Sequence, residues 1–305
     1  MLSVIIPCYN EENNVESCAQ VLSDTLTRAS IEFEFLFIND GSKDATCEKI
    51  TGLFGSYPLS LYSFSRNFGK EAAMFCGLKH AKGECAVIYD CDMQFPASTI
   101  VEMYRKWEEG YMVVEGVKKS RQKESFLKRM GANLFYALLK SGGNIDLRNA
   151  TDFKLMDRKV MDTLNCLEEK DTFFRALSSW VGFKSYCIEF EVAERKMGKS
   201  KWNIKSLFRY AIHNLTSFTT LPMQVVTFCG VVFFLFAVVL GIDTLYNFFT
   251  NQALGGFTTV ILLILITGSI VMISLGIIGF YLSKIYSELQ RRPRYIIEKE
   301  LIDKE

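Results

Sequence analysis

Nine cysteines are present without a single C-x-x-C spacing, so neither a zinc site nor a disulfide framework is indicated. The chain also lacks an excess of either charge: 35 Lys and Arg face 34 Asp and Glu, a net of +1. That balance excludes a general nucleic-acid binder, whose phosphate contacts demand a strong basic surplus. The opening residues, Met1-Leu2-Ser3-Val4-Ile5-Ile6-Pro7, have no charged leader and no long apolar core, and read as a short buried strand instead of a signal peptide. No G-x-G-x-x-G follows that strand and no G-x-x-x-x-G-K-[ST] occurs, which disfavours a dinucleotide site and a P-loop NTPase. Internal repeats and low-complexity segments are also missing.

Charge is absent locally as well. From Tyr210 to Ile242 there is no Asp, Glu, Lys or Arg, and a second uncharged run covers Phe257 to Ser283. The core of the first, Met223 to Ile242, is about the length a membrane-spanning helix needs, and with the second run it makes two spans expected, over 222–247 and 257–283. The competing reading is a pair of buried helices, although soluble helices seldom stay uncharged on every face for so long. Lys199, Lys201, Lys205 and Arg209 precede the first run, Lys284, Arg291, Arg292 and Arg294 follow the second, and the linker Thr244 to Gly256 is uncharged. The positive-inside rule then places both ends in the cytoplasm, with residues 284–305 as a cytoplasmic tail. Residues 203–221 mix apolar and basic positions at helical spacing, which suits a helix on the membrane surface or a buried helix of the soluble domain. Gly268, Gly276 and Gly279 permit close helix packing in the second span and leave a homo-oligomer open.

The 305-residue chain is long enough for one large domain and something smaller. Apolar runs at Leu2 to Pro7, Phe33 to Ile38, Leu59 to Ser63, Ala86 to Tyr89 and Met112 to Glu115 alternate with helical stretches near Glu12 to Arg28, Lys43 to Phe54, Lys70 to Ala81 and Ala97 to Glu108. Such alternation predicts a mostly parallel, doubly wound α/β sheet, whose ligands sit at the carboxyl ends of its strands. Trp180 to Phe183 fits a strand and turn. Three polar segments fall at strand ends: Pro7-Cys8-Tyr9-Asn10-Glu11, Asn39-Asp40-Gly41-Ser42 and Asp90-Cys91-Asp92. If extended, the last puts two carboxylates on one face, where burial demands a positive partner. Hard oxygen ligands favour Mg²⁺ or Mn²⁺. A plain Asp-x-Asp turn is the alternative, and Cys91 suits a small spacer pointing into the core.

These segments, with Ser65-Arg66-Asn67-Phe68-Gly69-Lys70, Asp90-Cys91-Asp92-Met93-Gln94, Thr151-Asp152-Phe153-Lys154-Leu155-Met156-Asp157 and Arg195-Lys196-Met197-Gly198-Lys199-Ser200-Lys201-Trp202, resemble glycosyltransferase family 2. The likeness is strongest to the polyprenyl-phosphate sugar transferases, among them dolichol-phosphate mannose synthases and bacterial undecaprenyl-phosphate glucosyltransferases. It spans essentially the whole chain. The resemblance implies a Rossmann-like GT-A nucleotide-sugar transferase domain over 1–202 plus a C-terminal two-helix transmembrane hairpin. It also implies a multi-pass protein of the bacterial inner membrane, with its catalytic domain and both termini cytoplasmic.

By the same resemblance, Pro7, Tyr9, Glu11 and Asp40 bind the donor nucleoside, although Asn39 stands where many relatives carry a further acid. Asn10 and Ser42 also suit ordinary helix caps, and Asp40-Gly41 an ordinary turn. Lys70, Asp90, Gln94 and Arg195 would serve the donor diphosphate, with Asp90 and Asp92 holding the metal and Asp92 catalytic. Lys118, Arg121, Lys123, Arg129, Ser200 and Lys201 would grip the acceptor phosphate, and a solvated basic loop is the simpler reading of the first four. Asp152 resembles a proposed base. A phosphate monoester, with its second pKa at about 6, is already largely ionised at neutral pH, so a purely orienting role for Asp152 is the alternative. The implied partners are a nucleotide sugar (UDP favoured over GDP, glucose over other hexoses), a polyprenyl phosphate and the membrane. Two other readings compete. A processive polysaccharide synthase lacks support because no Q-x-x-R-W occurs, and a non-catalytic sugar-nucleotide adaptor leaves Asp90, Asp92 and Gln94 without a purpose.

Overall fold

Leu2–Cys8 (β1) is apolar and buried along its length except at Pro7. A strand with no solvent-facing side belongs in the middle of a sheet covered on both faces. The computed structural model of the chain places it there, and describes residues 1–118, 151–167, 169, 173–190, 221–250 and 257–302. β1 pairs in parallel with β2 (Phe33–Asn39), and β2 with β3 (Leu59–Phe64). On its other side β1 runs parallel to β4 (Cys85–Ile88), in a pairing that ends at Ile5 and leaves Pro7, which has no N–H to give, beyond it. The helices α1 (Val15–Arg28), α2 (Thr46–Gly52), α3 (Lys70–His80) and α4 (Ala97–Glu108) alternate with these strands.

The sheet then becomes mixed. β5 (Val113–Lys118) and β4 both pair antiparallel with β6 (Lys154–Asp157), which is followed by α5 (Arg158–Asn165) and α6 (Phe174–Trp180). β7 (Ser185–Phe190) lies parallel to β5, and β8 (Ile297–Ile302) antiparallel to β3 at the opposite edge. The strand order is β7-β5-β6-β4-β1-β2-β3-β8, a Rossmann-like centre with antiparallel additions.

Helix α1 buries Val15, Cys18, Ala19, Leu22 and Leu26, the single stripe expected of a helix laid on a sheet. Each fully buried Leu, Ile or Phe stabilises the fold by roughly 1.5–3 kcal/mol before entropy is counted. Helix α3 crosses β1 so closely that a Cβ on Gly77 would stand 2.2 Å from the Ile5 side chain.

Several local expectations are corrected. β4 ends at Ile88, and Asp90 lies in a turn closed by the Met93 N–H donating to the Asp90 carbonyl (3.2 Å) with Met93 at φ 53°. The two acids therefore do not alternate along an extended strand. Trp180 ends a helix instead of forming a strand, because Phe174, Ala176 and Leu177 bury one side of that turn. Residues 293–305 are not simply a tail: they belong to the same unit as residues 1–207, while Phe208–Arg292 forms a second unit. Arg294 donates to the carbonyls of Leu167 and Glu169 and lies 4.5 Å over the Phe75 ring, and Tyr295 stacks on Phe64 at 4.9 Å.

The second unit contains α7 (Leu221–Phe249) and α8 (Phe257–Leu289). Among the described residues one stretch, Ile266–Leu289, is long and apolar enough to cross a membrane, with a mean hydropathy of 1.9, and Val226–Leu240 is a shorter apolar helix. The surface helix expected over 203–221 lies outside the described residues except for Leu221, which opens α7.

Candidate active site

The polar segments after β1, β2, β3 and β4 are stitched to one another in chain order. Asn10, at φ 56°, donates its N–H to Ser42 Oγ (3.0 Å), and its Oδ1 accepts from Lys43 N (2.9 Å). Neither Asn10 nor Ser42 caps a helix, since both side chains are spent joining the first two loops. Asn39 Oδ1 accepts from Ser42 N (3.1 Å) while its Nδ2 donates to Ser63 Oγ (2.9 Å). Asp40 then joins the second loop to the third, accepting from the N–H groups of Phe68 (2.6 Å) and Gly69 (2.9 Å). Burial pushes the Asp40 carboxyl up against those two bonds. Gly41, at φ +64°, has no room for a side chain because a Cβ would stand 2.4 Å from the Arg66 carbonyl carbon. Asp40 thus shapes the loop before it touches any ligand.

Around this frame Tyr9 leaves an open aromatic face, 43% exposed, beside Pro7. Glu11 is half-buried, hydrogen-bonded by Asn14 Nδ2 (2.6 Å), and its carboxyl is pushed up by burial. Lys70, the first residue of α3, carries the third loop to the fourth. Its ammonium sits 2.7 Å from Asp90 Oδ1 and 3.1 Å from Asp152 Oδ2. Asp92 is exposed and is held by Gln94, whose Nε2 donates to Oδ2 (2.6 Å) and whose N–H donates to Oδ1 (3.2 Å).

An aromatic floor supports these acids. Tyr89 donates its hydroxyl to the Phe95 carbonyl (2.6 Å), closing the base of the turn that carries Asp90 and Asp92. Phe95 stacks on Phe153 at 4.8 Å, which fixes the turn against the residue following Asp152. Cys91 is 2% exposed and belongs to the core cluster that also holds Cys8 and Cys18.

Arg175 on α6 was not singled out from the sequence. Its Nε and Nη2 grip both oxygens of Asp152, at 2.7 and 2.9 Å. Burial alone would raise the Asp152 carboxyl, but Arg175 and Lys70 outweigh it and hold the group well below the usual carboxylate range. Burial likewise opposes the charge on Lys70, and the two carboxylates overcome it and keep the ammonium protonated. Burial raises Asp90, with Lys70 opposing. Deeper still, the Lys154 ammonium is fully enclosed, with Glu115 Oε1 at 3.0 Å and Ser178 Oγ at 2.8 Å. The signals were faint: one arginine inside Phe173-Phe174-Arg175-Ala176-Leu177, and one lysine inside an apolar strand.

Of the other residues singled out in the sequence, Lys118 ends β5, and Arg121, Lys123, Arg129, Arg195, Ser200 and Lys201 lie outside the described residues. The acids can be tested against a metal. Asp90 and Asp92 offer hard oxygens, and among the described residues no group of three or more His, Cys, Asp or Glu side chains could hold an ion. That donor set fits Mg²⁺ or Mn²⁺ completing its shell with diphosphate oxygens and water.

The model of the family described as "Glycosyl transferase family 2" matches residues 3–164. The chain belongs to glycosyltransferase family 2. As a member it is a transferase enzyme with a GT-A, Rossmann-like catalytic domain. It is 37% identical to the uncharacterized glycosyltransferase YkcC of Bacillus subtilis (strain 168), over 97% of this chain and 93% of that one. It is 36% identical to the prophage bactoprenol glucosyl transferase homolog of Escherichia coli (strain K12), over 98% of both chains. In fold, the glycosyltransferase resembles S. aureus TarS 1-349 in complex with UDP-GlcNAc, with a TM-score of 0.50 and 16% identity over 70% of this chain and 65% of that chain.

Proposed function

We propose that the enzyme transfers glucose from UDP-glucose to a polyprenyl phosphate such as undecaprenyl phosphate, with inversion, at the cytoplasmic face of a bacterial inner membrane. The observation that carries the reaction reading is Lys70, which brings the strand-end acid Asp90 and the acid Asp152 onto one ammonium. Donor and acceptor chemistry then share a centre. The choice of glucose and of a lipid acceptor draws support from the near-full-length relative named as a bactoprenol glucosyl transferase homolog.

Tyr9 and Pro7 would receive the flat base, on the open aromatic face described above. Asp90 and Asp92 would hold Mg²⁺ or Mn²⁺, which when bound neutralises charge building on the departing diphosphate. Gln94 keeps the Asp92 oxygens in place for that role. A phosphate oxygen of the lipid forms the new bond to the anomeric carbon as the bond to UDP breaks, and no proton need move. Asp152 suits this step as an orienting group: with both oxygens engaged by cations it is a weak base. Lys118, Arg121, Lys123, Arg129, Ser200 and Lys201 are assigned to the acceptor phosphate, and Arg195 to the donor diphosphate.

Membrane attachment rests on unit 2, where Phe228, Phe249, Met272 and Leu289 are all at least 70% exposed. Lipid is the medium in which such surfaces are stable. β8 adds a topological reason for two spans. The chain leaves the first unit before Phe208 and rejoins it at Pro293, where β8 pairs with β3, so it must cross the bilayer an even number of times. If Ile266–Leu289 crosses, α7 crosses too.

Purified full-length protein, UDP-glucose, Mg²⁺ and undecaprenyl phosphate should yield a lipid heavier by one hexose on mass spectrometry, and a chelator should stop its formation. Failure with UDP-glucose beside success with GDP-mannose would move the donor assignment. Failure with every common nucleotide sugar, the fold being intact, would sink the proposal.

A further inference from the structure

Behind the acids of the site lies a closed ring of contacts that starts from two adjacent residues of α3. Lys70 reaches forward to Asp90 and Asp152. Glu71 reaches the other way, its Oε2 accepting from the N–H of Phe174 at 2.9 Å, at the first residue of α6. The next residue along α6 is Arg175, which returns to Asp152 through two hydrogen bonds. The far side of α6 is tied as well. Ser178 Oγ accepts from the buried Lys154 and donates to the Arg175 carbonyl (3.2 Å), and Lys154 is held by Glu115. A seven-residue helix has little stability of its own, so these ties decide where its arginine points.

We infer that Glu71 and Arg175 are positioning residues for the transfer reaction: Glu71 fixes the start of α6, α6 delivers Arg175 to both oxygens of Asp152, and Asp152 so held shares Lys70 with Asp90. This rests on the reading of Asp152 and Lys70 given above, though the pinning of α6 stands without it. Neither residue touches the donor pocket at Tyr9 in the described structure, so the effect of losing them falls on kcat more than on the donor KM. Among the described residues, the charged groups facing Glu71 are Lys70 on its own helix, Asp152 and Arg175. Burial raises Glu71 to about 7, and the Phe174 N–H and the two cations oppose it. In its ionised form it makes the stronger, charge-assisted bond to Phe174.

The test uses full-length protein carrying Glu71→Leu, Glu71→Gln or Arg175→Lys, with two readouts. The first is amide hydrogen exchange over residues 173–180: Glu71→Leu should accelerate it, and Glu71→Gln, which can still accept from Phe174, should not. The second is glucolipid formation. Arg175→Lys, unable to grip two oxygens, should lose about 10–100-fold in kcat, the size seen when a group behind a site is removed. Glu71→Leu should also lose kcat with the donor KM held, and Glu71→Gln, which keeps the bond to Phe174, should restore it. Should Glu71→Leu fail to fold, Glu71→Gln and Arg175→Lys decide the matter. Wild-type kinetics in Arg175→Lys, a large loss of kcat in a folded Glu71→Gln, or unaltered exchange in a folded Glu71→Leu would each overturn the inference. A wild-type protein that makes no glucolipid, while Glu71→Leu loosens residues 173–180, would instead remove the proposed reaction and leave the pinning intact.

Discussion

Glu71 and Asp152 belong to one ring of contacts, and their surroundings move them in opposite directions. Burial would raise both, and it prevails only at Glu71, because Asp152 carries a bidentate arginine and a share of a lysine. Asp152 binds its proton less tightly folded than unfolded. Its contribution to stability is therefore present above the unfolded value of about 3.9 and is lost as pH falls below that. Glu71 binds its proton more tightly when folded, so stability declines as pH rises from about 4.3, its unfolded value, towards its folded value. At about pH 8, Glu71→Gln should raise the Tm in a thermal melt while Asp152→Asn lowers it; a lower Tm in Glu71→Gln would contradict the burial cost. Lys154 and Glu115 make an asymmetric pair, the lysine fully enclosed and the glutamate side chain 14% exposed. Glu115→Leu strands a buried cation and should cost about 3–5 kcal/mol in urea unfolding, whereas Lys154→Met leaves a carboxylate that can still reach water and should cost clearly less. Asp90, Asp92, Gln94, Lys70 and Asp152 were legible in the sequence because each sits in a short motif at a strand or helix end. Arg175, Glu71 and Lys154 were not, because their partners come from other elements and only the packed fold brings them together.

At the level of elements, the regular alternation of apolar runs and helical stretches was enough for β1 to β5 and α1 to α4. It failed where a tertiary partner sets the structure. β6 is four residues with a buried lysine at its start, and α6 is a short helix that Glu71, Ser178 and Lys154 hold in place. The sequence of β8, Ile297-Glu298-Lys299-Glu300-Leu301-Ile302, looks like a charged tail until β3 is beside it. Two element-scale predictions follow from these contacts. Gly41→Ala puts a side chain against the Arg66 backbone at positive φ, so the loop that hydrogen-bonds Asp40 must shift. It should lose about 1–3 kcal/mol of stability, with weaker UDP binding by calorimetry; unaltered binding and stability would mean the loop relaxes freely. Deleting residues 296–305 uncovers the edge of β3 and removes the strand that continues from Tyr295. That change should lower the Tm and promote aggregation seen by light scattering, and a fully stable, monodisperse deletion would show β8 to be dispensable.

For the whole molecule, the proposed arrangement has two crossings and a catalytic unit that contains both ends of the chain. Cys166 and Cys187 are exposed on that unit, which makes them reporters of its side. A membrane-impermeant maleimide should label them in inside-out vesicles and leave them unlabelled in intact spheroplasts, and the reverse pattern would invert the topology. The uncharged runs were legible from composition alone, because bilayer thickness imposes a length that no tertiary contact alters. The return of the chain to its own sheet was not, since it joins segments at opposite ends of the sequence. That return orders events during synthesis. Residues 60–64 leave the ribosome long before 297–302, and everything between, including both helices of the second unit, is made first. On the proposed topology a nascent chain that inserts only one helix leaves its last strand on the wrong side of the bilayer and its sheet edge unfilled. Correct insertion would thus be proofread by folding, with an open β3 edge marking the failures for disposal.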